Sequence, residues 1–271
     1  MERRLNVDKG KCVHCGLCIK DCIVGCIEFD GERVPRYGAG GADQCVGCQH
    51  CMAICPVGAL SFGGKDPSGS APAGYGDPEE LLTLIKSRRS VRAYKDEDLP
   101  AEDLEKIKDM LAYPPTGGNR DCLHFSIVGT RAKMDEIRRA SYEKAIERVE
   151  GGDASRILRI CADRHRNGQD IIYRGAPSMV VASIDRSKAI EGCETADPII
   201  ALSYLDLYAQ SLGLGTLWVD IAVMVFDQIP DVRALLDIPE GDDLGYVLLL
   251  GVPAVQYKRT VQKGPANVTV I

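Results

Sequence analysis

A duplicated cysteine motif limits what the first quarter of this chain can fold into. Residues 11–29 align with residues 44–62 at an offset of 33 positions, and every cysteine of the shared motif has a counterpart in the other copy. Both copies contain the spacing C-x2-C-x2-C-x3-C, and Gly25 of the first copy aligns with Gly58 of the second. Two copies of one short unit predict a small module with pseudo-twofold symmetry.

The spacing of these cysteines favours iron–sulfur clusters over disulfides or zinc. Nine of the 12 cysteines fall between Cys12 and Cys55, and zinc sites usually show C-x2-C pairs separated by longer gaps. In motifs with this spacing the first three thiolates bind one [4Fe–4S] cluster and the fourth binds the other. The predicted ligand sets are Cys12, Cys15, Cys18 and Cys55 for one cluster, and Cys45, Cys48, Cys51 and Cys22 for the second.

Composition excludes some classes of function. The formal charge of −6 argues against a nucleic-acid-binding protein, which would usually be basic. No apolar run approaches the ~18 residues that a membrane span requires. The first residues lack the apolar segment of a signal peptide, and a reducing compartment disfavours disulfide frameworks. We therefore expect a cytoplasmic protein that binds neither nucleic acid nor membrane.

Residues 5–62 resemble a bacterial two-cluster ferredoxin. The second motif ends in Cys55-Pro56, as that family prefers, whereas the first ends in Cys22-Ile23 and so departs from it without losing a ligand. Cys26 aligns with Ala59 of the other copy and is predicted to be a buried thiol near a cluster rather than a ligand.

A Gly-, Pro- and Ser-rich stretch follows the cysteine region. Residues 63–78 read GGKDPSGSAPAGYGDP, which indicates a flexible or extended linker. Asp77 and Pro78 then provide a cap and a first-turn proline for a helix. The predicted domains are residues 1–64, a linker at 65–77, and a second domain at 78–271.

The second domain alternates helical and strand patterns. Apolar spacing predicts a helix after Asp77 with Leu81, Leu84 and Ile85 on one face, and another after Pro100. The further predicted helices are residues 131–149, 153–166, 197–212 and 231–237, and the predicted strands are 124–130, 177–184, 215–219 and 244–252. The last strand is apolar almost throughout, which fits burial on both faces. These patterns predict an α/β or α+β domain.

Four segments of this domain are candidates for a binding site, although each alone also fits an ordinary surface, loop or cap. Residues 87–94 place Arg88, Arg89, Ser90 and Arg92 close together, and arginine forks suit phosphate oxygens. Residues 113–121 form a glycine-containing loop, and residues 212–220 join a helix to a strand through two glycines. Lys258 and Arg259 follow the last strand.

Together these segments, RRSVRAY, PPTGGNRD and LGLGTLW, resemble those of the FMN-dependent nitroreductase family over residues 78–261. The resemblance implies an α+β sandwich and a homodimer with FMN at the interface. It implies that the residues of segment 88–92 hold the phosphate and ribityl chain, and that Asn119 reaches the flavin from the partner subunit. Gly215 and Leu217 would line the isoalloxazine, and Arg259 with Lys258 would close the phosphate site.

The combined resemblances imply an iron–sulfur flavoprotein oxidoreductase. Electrons would pass from a low-potential donor such as reduced ferredoxin through two clusters to FMN and then to a nitroaromatic, quinone or activated alkene, and NAD(P)H is the other donor that the resemblance implies, by hydride transfer directly to the flavin. The alternatives are a reductive dehalogenase, a flavin-modifying enzyme, or an electron-transfer protein that serves a protein partner. No catalytic side chain is assigned, with His124 and Tyr173 as the candidates for a proton donor. The charged insert 141–170 is either a substrate lid or a pair of surface helices.

Overall fold

The computed structural model describes residues 3–271, which form two compact units. The first unit extends to Tyr75, and the second is Gly76–Ile271. The division falls inside the stretch predicted as a linker. Before it, Asp66 caps a short 3-10 turn, Pro67–Gly69, by accepting a hydrogen bond from the Ser68 amide at 2.9 Å.

The first unit repeats one helix and one strand. Its strands form two antiparallel pairs, in which β1 (Leu5–Val7) pairs with β4 (Leu60–Phe62) and β2 (Ile27–Phe29) pairs with β3 (Pro35–Tyr37). Its helices are α1 (Leu17–Lys20), α2 (Gly41–Gln44) and α3 (His50–Ala53). Since α1 and α3, and likewise β2 and β4, are separated by 33 residues, the predicted duplication is confirmed in the secondary structure.

The two cysteine loops have the same backbone conformation at two positions where their residue types differ. His14 and Gly47 occupy equivalent positions with φ of 56° and 70°, and Gly16 and Gln49 do the same with φ of 75° and 62°. A positive φ costs a non-glycine residue free energy, so each loop keeps one unfavourable residue. The turn geometry of the loop is therefore maintained despite the residue type at these positions.

The second unit is built around one four-stranded sheet with the order β5-β6-β8-β7, in which all neighbours are antiparallel. The strands are β5 (Leu123–Val128), β6 (Ser178–Ile184), β7 (Gly215–Trp218) and β8 (Asp243–Gly251). The helices are α4 (Pro78–Ser87), α5 (Ala101–Met110), α6 (Arg131–Glu150), α7 (Arg156–Arg166), α8 (Ala196–Ser211), α9 (Asp220–Gln228) and α10 (Pro230–Arg233). An antiparallel sheet with helices makes this an α+β unit, as the resemblance implied.

Helices cover both faces of the sheet. Along β6, Met179 and Val181 join one buried cluster, whereas Val180 and Ala182 join the other. Side chains alternate between the two faces of a strand, so one strand contributes to two cores. The first core includes residues of α6, α7 and α9, and the second includes residues of α5 and α8. This arrangement explains why the central strands are apolar almost throughout.

Most predicted elements are confirmed to within a few residues, with two differences. The predicted helix at 231–237 is the short helix α10 followed by a 3-10 turn, Ala234–Leu236. Helix α9 was not predicted, because its segment DIAVMVFDQ is rich in β-branched residues and follows a strand without a glycine or proline break. Its buried residues, Ala222, Val225 and Phe226, nevertheless have helical spacing.

The insert 141–170 packs one face against the first core of the second unit. Helices α6 and α7 bury Tyr142, Ala145, Leu158 and Cys161 completely. Asp170 stabilises the junction by accepting hydrogen bonds from the Tyr142 hydroxyl at 2.8 Å and from backbone amides of the following turn. These contacts fit a pair of packed surface helices and not a lid. Across residues 3–271, every helix is too short or too polar to span a bilayer.

Candidate cofactor sites

Two cavities in the first unit are lined by the predicted cluster cysteines. One cavity, with about 360 Å³ of space between atoms when the part open to solvent is included, contains Cys45, Cys48 and Cys51 of the second motif together with Cys22 of the first. The other, with about 300 Å³ on the same basis, contains Cys12, Cys15 and Cys18 of the first motif together with Cys55 of the second. The fold thus brings together three neighbouring cysteines of one copy and the last cysteine of the other.

The donor set of these cavities suits clusters with thiolate ligands. The Gly47 amide donates to Cys45 Sγ at 3.4 Å, and the Ala59 amide donates to Cys55 Sγ at 3.2 Å. Such N–H···S contacts stabilise negative charge on ligating sulfurs. Among residues 3–271 no group of three or more His, Cys, Asp or Glu side chains converges on a single-ion site, so the cavities themselves define the candidate sites.

The two cavities differ in the polar groups that line them. Cys26 and Tyr37 line the larger cavity, and Cys26 Sγ lies 3.4 Å from Cys22 Sγ. Cys26 is 3% exposed, which confirms the predicted buried thiol, and burial raises its pKa to about 12. The buried Tyr37 hydroxyl has no hydrogen-bond partner in the described chain, although burial and then the neighbouring Cys45 thiol raise its pKa. Outside its four cysteines the smaller cavity is lined by Val13, Gly16, Leu17, Pro35, Val57 and Leu60.

In the second unit, the arginine segment lies against strand β7. The Val91 amide donates to the Thr216 carbonyl at 2.8 Å, and Ser90 pairs with Thr216 in a parallel bridge. A Cβ atom on Gly215 would lie 2.7 Å from Val91 Cγ2, which is shorter than van der Waals contact allows. Two segments that are more than 120 residues apart in sequence are therefore adjacent in the fold, and their close approach requires glycine at position 215.

A buried carboxylate on α8 holds this arrangement. Asp206, 5% exposed, accepts hydrogen bonds from Trp218 Nε1 at 3.0 Å and from the Thr216 hydroxyl. Its Oδ2 also lies 3.6 Å from Arg88 Nε. Sequence analysis missed this residue, although an acid at position 206 among the buried apolar residues of α8 was a visible signal.

Arg89 has the donor that an anionic ligand needs. Its Nη1 donates to the Lys86 carbonyl at 2.9 Å, whereas its Nη2 is buried and lacks a partner among the described residues. A buried guanidinium nitrogen without an acceptor indicates a missing ligand atom, and phosphate oxygens suit guanidinium geometry. The residues present therefore fit the phosphate of a nucleotide cofactor.

The other predicted contacts of this site lie on exposed segments. Arg92 is exposed and donates from Nη1 to the Ser90 carbonyl at 3.2 Å. The Val261 amide donates to the Lys86 carbonyl at 3.4 Å, so the chain that follows Lys258 and Arg259 returns to the end of α4. Leu217 is buried in β7, where its side chain joins the first core.

The loop before β5 is held by a second buried carboxylate. Both oxygens of Asp197, which is 2% exposed at the start of α8, lie 3.1 Å from the Gly117 amide. Gly118 and Asn119 then adopt positive φ values of 63° and 53°. Asn119 therefore has a defined backbone conformation, and its role toward a flavin stays a prediction.

Neither candidate proton donor lies at these sites. Tyr173 is fully buried, and its hydroxyl lies 2.7 Å from Ser141 Oγ between α6 and the core. His124 is exposed on β5, an edge strand of the sheet. Tyr173 is part of the buried core and His124 lies on the exposed edge of the sheet, so no catalytic side chain is assigned.

Comparison with known proteins identifies both units. Residues 85–252 match the model of the nitroreductase family, and residues 6–62 match that of the 4Fe-4S dicluster domain. A protein of Methanothermobacter thermautotrophicus, provisionally named an NADH dehydrogenase/NAD(P)H nitroreductase, is 29% identical over 176 residues, or 65% of this chain and 78% of that protein. A protein of Archaeoglobus fulgidus with the same provisional name is 28% identical over 176 residues, or 65% of this chain and 86% of that protein.

Solved structures agree with these matches. A nitroreductase with bound FMN from Bacteroides fragilis has a TM-score of 0.58 and 28% identity, and the alignment covers 71% of this chain and 98% of that one. A nitroreductase with bound FMN from Desulfitobacterium hafniense has a TM-score of 0.57 and 24% identity over 71% of this chain and 98% of that one. At that lower identity the second likeness supports the fold alone.

Proposed function

This chain belongs to the nitroreductase family and contains an N-terminal 4Fe-4S dicluster domain, and from these two facts we propose its function. It is an oxidoreductase in which two [4Fe–4S] clusters pass single electrons to FMN, which then reduces a small electrophilic organic compound such as a nitroaromatic, quinone or activated alkene. The observation that supports this most strongly is the pair of cavities, each of which contains the four cysteines predicted to bind one cluster of a two-cluster module.

The proposed cluster ligands are the eight cysteines of the two cavities. The four cysteines of each set come from both motifs, so each cluster would join the two halves of the first unit. The backbone amides of Gly47 and Ala59 would keep donating to the ligating sulfurs. The side chains that line both cavities are mostly apolar, and a low local dielectric strengthens such electrostatic contacts.

The proposed FMN contacts begin with Arg89. Its unpartnered Nη2 would donate to the cofactor phosphate, while Arg88 and Arg92 add positive charge to the same segment. Asp206 orients Arg88, and the backbone of 215–217 would lie against the flavin ring. Arg259 with Lys258 would close the phosphate site, and Asn119 would approach from a second subunit. Positive charge near a flavin stabilises its reduced anion.

A homodimer is the proposed assembly because apolar residues of the second unit are exposed. On α4, Leu81, Leu82 and Ile85 are 52%, 41% and 48% exposed, although helical spacing predicts that such residues face a core. The end of the chain adds exposed Val270 and Ile271. A second copy that covers these residues would complete sites to which both subunits contribute.

Light scattering tests this assembly and should give the mass of a dimer. Leu82→Glu should give a monomer with weakened FMN binding, while the control variant Glu79→Lys should stay dimeric.

Cofactor analysis after anaerobic purification is the first test. We expect about eight irons and one FMN per chain. Four or fewer irons in intact protein would contradict the two-cluster proposal.

The FMN site is tested by substitution of Arg89. Arg89→Ala should weaken FMN binding by about 10- to 100-fold, the equivalent of one lost charge-assisted hydrogen bond. Arg156→Ala, which removes an exposed arginine of α7, is the matched control.

The electron path is tested by comparing donors. The names of the relatives point to NAD(P)H as one donor, and the fused dicluster domain suggests reduced ferredoxin as another. Cys15→Ser combined with Cys48→Ser should abolish turnover with a reduced ferredoxin while FMN remains bound. Unchanged turnover with that donor would exclude the path through the clusters. Reduction of a protein acceptor with no small-molecule turnover would instead identify an electron-transfer protein.

A further inference from the structure

Beyond its four predicted ligands, the larger cluster cavity is lined by two buried polar atoms, the Tyr37 hydroxyl and the Cys26 thiol, and by the half-buried Gln49 and the exposed His50. The Tyr37 hydroxyl is buried at this cavity without a hydrogen-bond partner in the described chain. A buried hydroxyl without a partner is unfavourable, so its presence indicates an acceptor that the polypeptide alone does not supply. The neighbouring thiol of Cys45 is one of the proposed ligands.

Cys26 provides the second group. Its sulfur lies 3.4 Å from Cys22 Sγ, and with two thiols either sulfur can be the donor. A ligating cysteine is a thiolate and has no proton to donate. Once Cys22 binds iron, Cys26 is therefore the donor and Cys22 the acceptor.

The smaller cavity has no equivalent of either group. Cys26 aligns with Ala59, and the residues around Cys12, Cys15, Cys18 and Cys55 are apolar or glycine. Each cavity does have a backbone donor, since the Gly47 amide donates to Cys45 of the larger cavity and the Ala59 amide donates to Cys55 of the smaller one. The Tyr37 and Cys26 donors, by contrast, line the larger cavity alone.

We propose that Tyr37 and Cys26 donate hydrogen bonds to the cluster of Cys45, Cys48, Cys51 and Cys22, and thereby make it the higher-potential cluster of the pair. This inference rests on the two-cluster function proposed above. Hydrogen bonds to cluster sulfurs stabilise the more negative, reduced state, so they raise the reduction potential. A chain that has accepted one electron then holds it mainly on this cluster, and an electron that enters at the other cluster moves toward it.

The test is an EPR-monitored reductive titration of the full-length, cluster-loaded protein and its variants. Tyr37→Phe and Cys26→Ala remove one donor each and keep every proposed ligand. Each should change the one-electron equilibrium of one cluster by about tenfold toward the oxidised state, which is ~59 mV to lower potential. The potential of the other cluster should stay unchanged, and the iron content should match that of the unmodified protein.

Two further variants make the comparison specific. Tyr75→Phe removes a fully exposed phenol from the same unit and should move neither potential. Ala59→Cys places a thiol at the equivalent position of the other copy, and should raise the potential of the cluster that Tyr37→Phe leaves unchanged.

The outcomes separate this inference from the function on which it rests. Two clusters with unchanged potentials in Tyr37→Phe and Cys26→Ala would overturn the inference alone. Equal shifts of both clusters would also overturn it, and loss of iron in Cys26→Ala would show that Cys26 is a ligand and not a donor. Failure of the unmodified protein to bind two clusters would instead contradict the proposed function.

Discussion

Replacement of Asp206 tests how the candidate flavin site is held together. Asp206→Ala removes the acceptor for the Thr216 hydroxyl and for Trp218 Nε1, and it removes the carboxylate beside Arg88. Thr216 is 2% exposed, so water does not replace the lost hydrogen bond. Asp206→Asn keeps one oxygen as an acceptor and removes the negative charge.

The magnitude follows from these partners. A buried donor left without an acceptor costs about 1–3 kcal/mol, and the half-buried Trp218 Nε1 adds less than the buried Thr216 hydroxyl, which gives about 1–4 kcal/mol for Asp206→Ala. Asp206→Asn can satisfy one of the two donors, so we expect about half of that loss. The side chain of Arg88 is 34% exposed, and its ion pair therefore adds less than about 1 kcal/mol.

The assay uses the single tryptophan of the chain. Because Trp218 is the only tryptophan and lies in β7, its fluorescence reports unfolding of the second unit alone. Urea titration should give the lowest midpoint for Asp206→Ala, an intermediate midpoint for Asp206→Asn, and no change for Asp227→Asn, which removes an exposed acid of α9. Equal midpoints for Asp206→Ala and Asp227→Asn would refute the reasoning.

Three other substitutions test separate features. Gly215→Ala should destabilise the second unit by about 1–3 kcal/mol, because its Cβ would overlap Val91; an unchanged urea midpoint would contradict this close approach. Asp197→Ala should weaken FMN binding, measured by flavin fluorescence, because the Gly117 amide loses the acceptor that holds the predicted flavin loop; unaltered binding would separate this loop from the site. Gln49→Gly should slow the chelator-induced bleaching of the clusters, since it relieves about 1 kcal/mol of left-handed strain, and faster bleaching would argue against that strain.

The sequence predicts the candidate cluster sites of the first unit well, because these sites depend on the spacing of the cysteines along the chain. The positions of the cysteines determine which thiols meet, and the two cavities contain the predicted sets. Of the two groups that distinguish the cavities, the sequence predicted the buried Cys26 thiol but not the Tyr37 hydroxyl. Tyr37 lies outside both cysteine motifs, and only the folding of β3 beside the second motif brings it to Cys45.

The second unit was predicted in its elements but not in its supporting contacts. Periodicity predicted the central strands, since burial on both faces produces an apolar run in β6. Segment 88–92 and Thr216 are neighbours through long-range pairing, which local patterns do not encode. Asp206 and Asp197 likewise contact residues that are distant in sequence. A single sequence shows only that two acids occur on an otherwise apolar helix and does not show their partners.

The thiol-rich interior of the first unit has a consequence for how this protein matures. Half of the eight buried residues that form its core in the described chain are cysteines, namely Cys18, Cys26, Cys45 and Cys51. A unit of this size has little apolar surface to bury, so metal binding must supply much of its folding free energy. The second unit has its own two cores and no such dependence. When iron is limiting, we therefore expect chains in which the second unit is folded and the first unit is unfolded and sensitive to proteases. Delivery of iron–sulfur clusters would then determine how much of the protein matures.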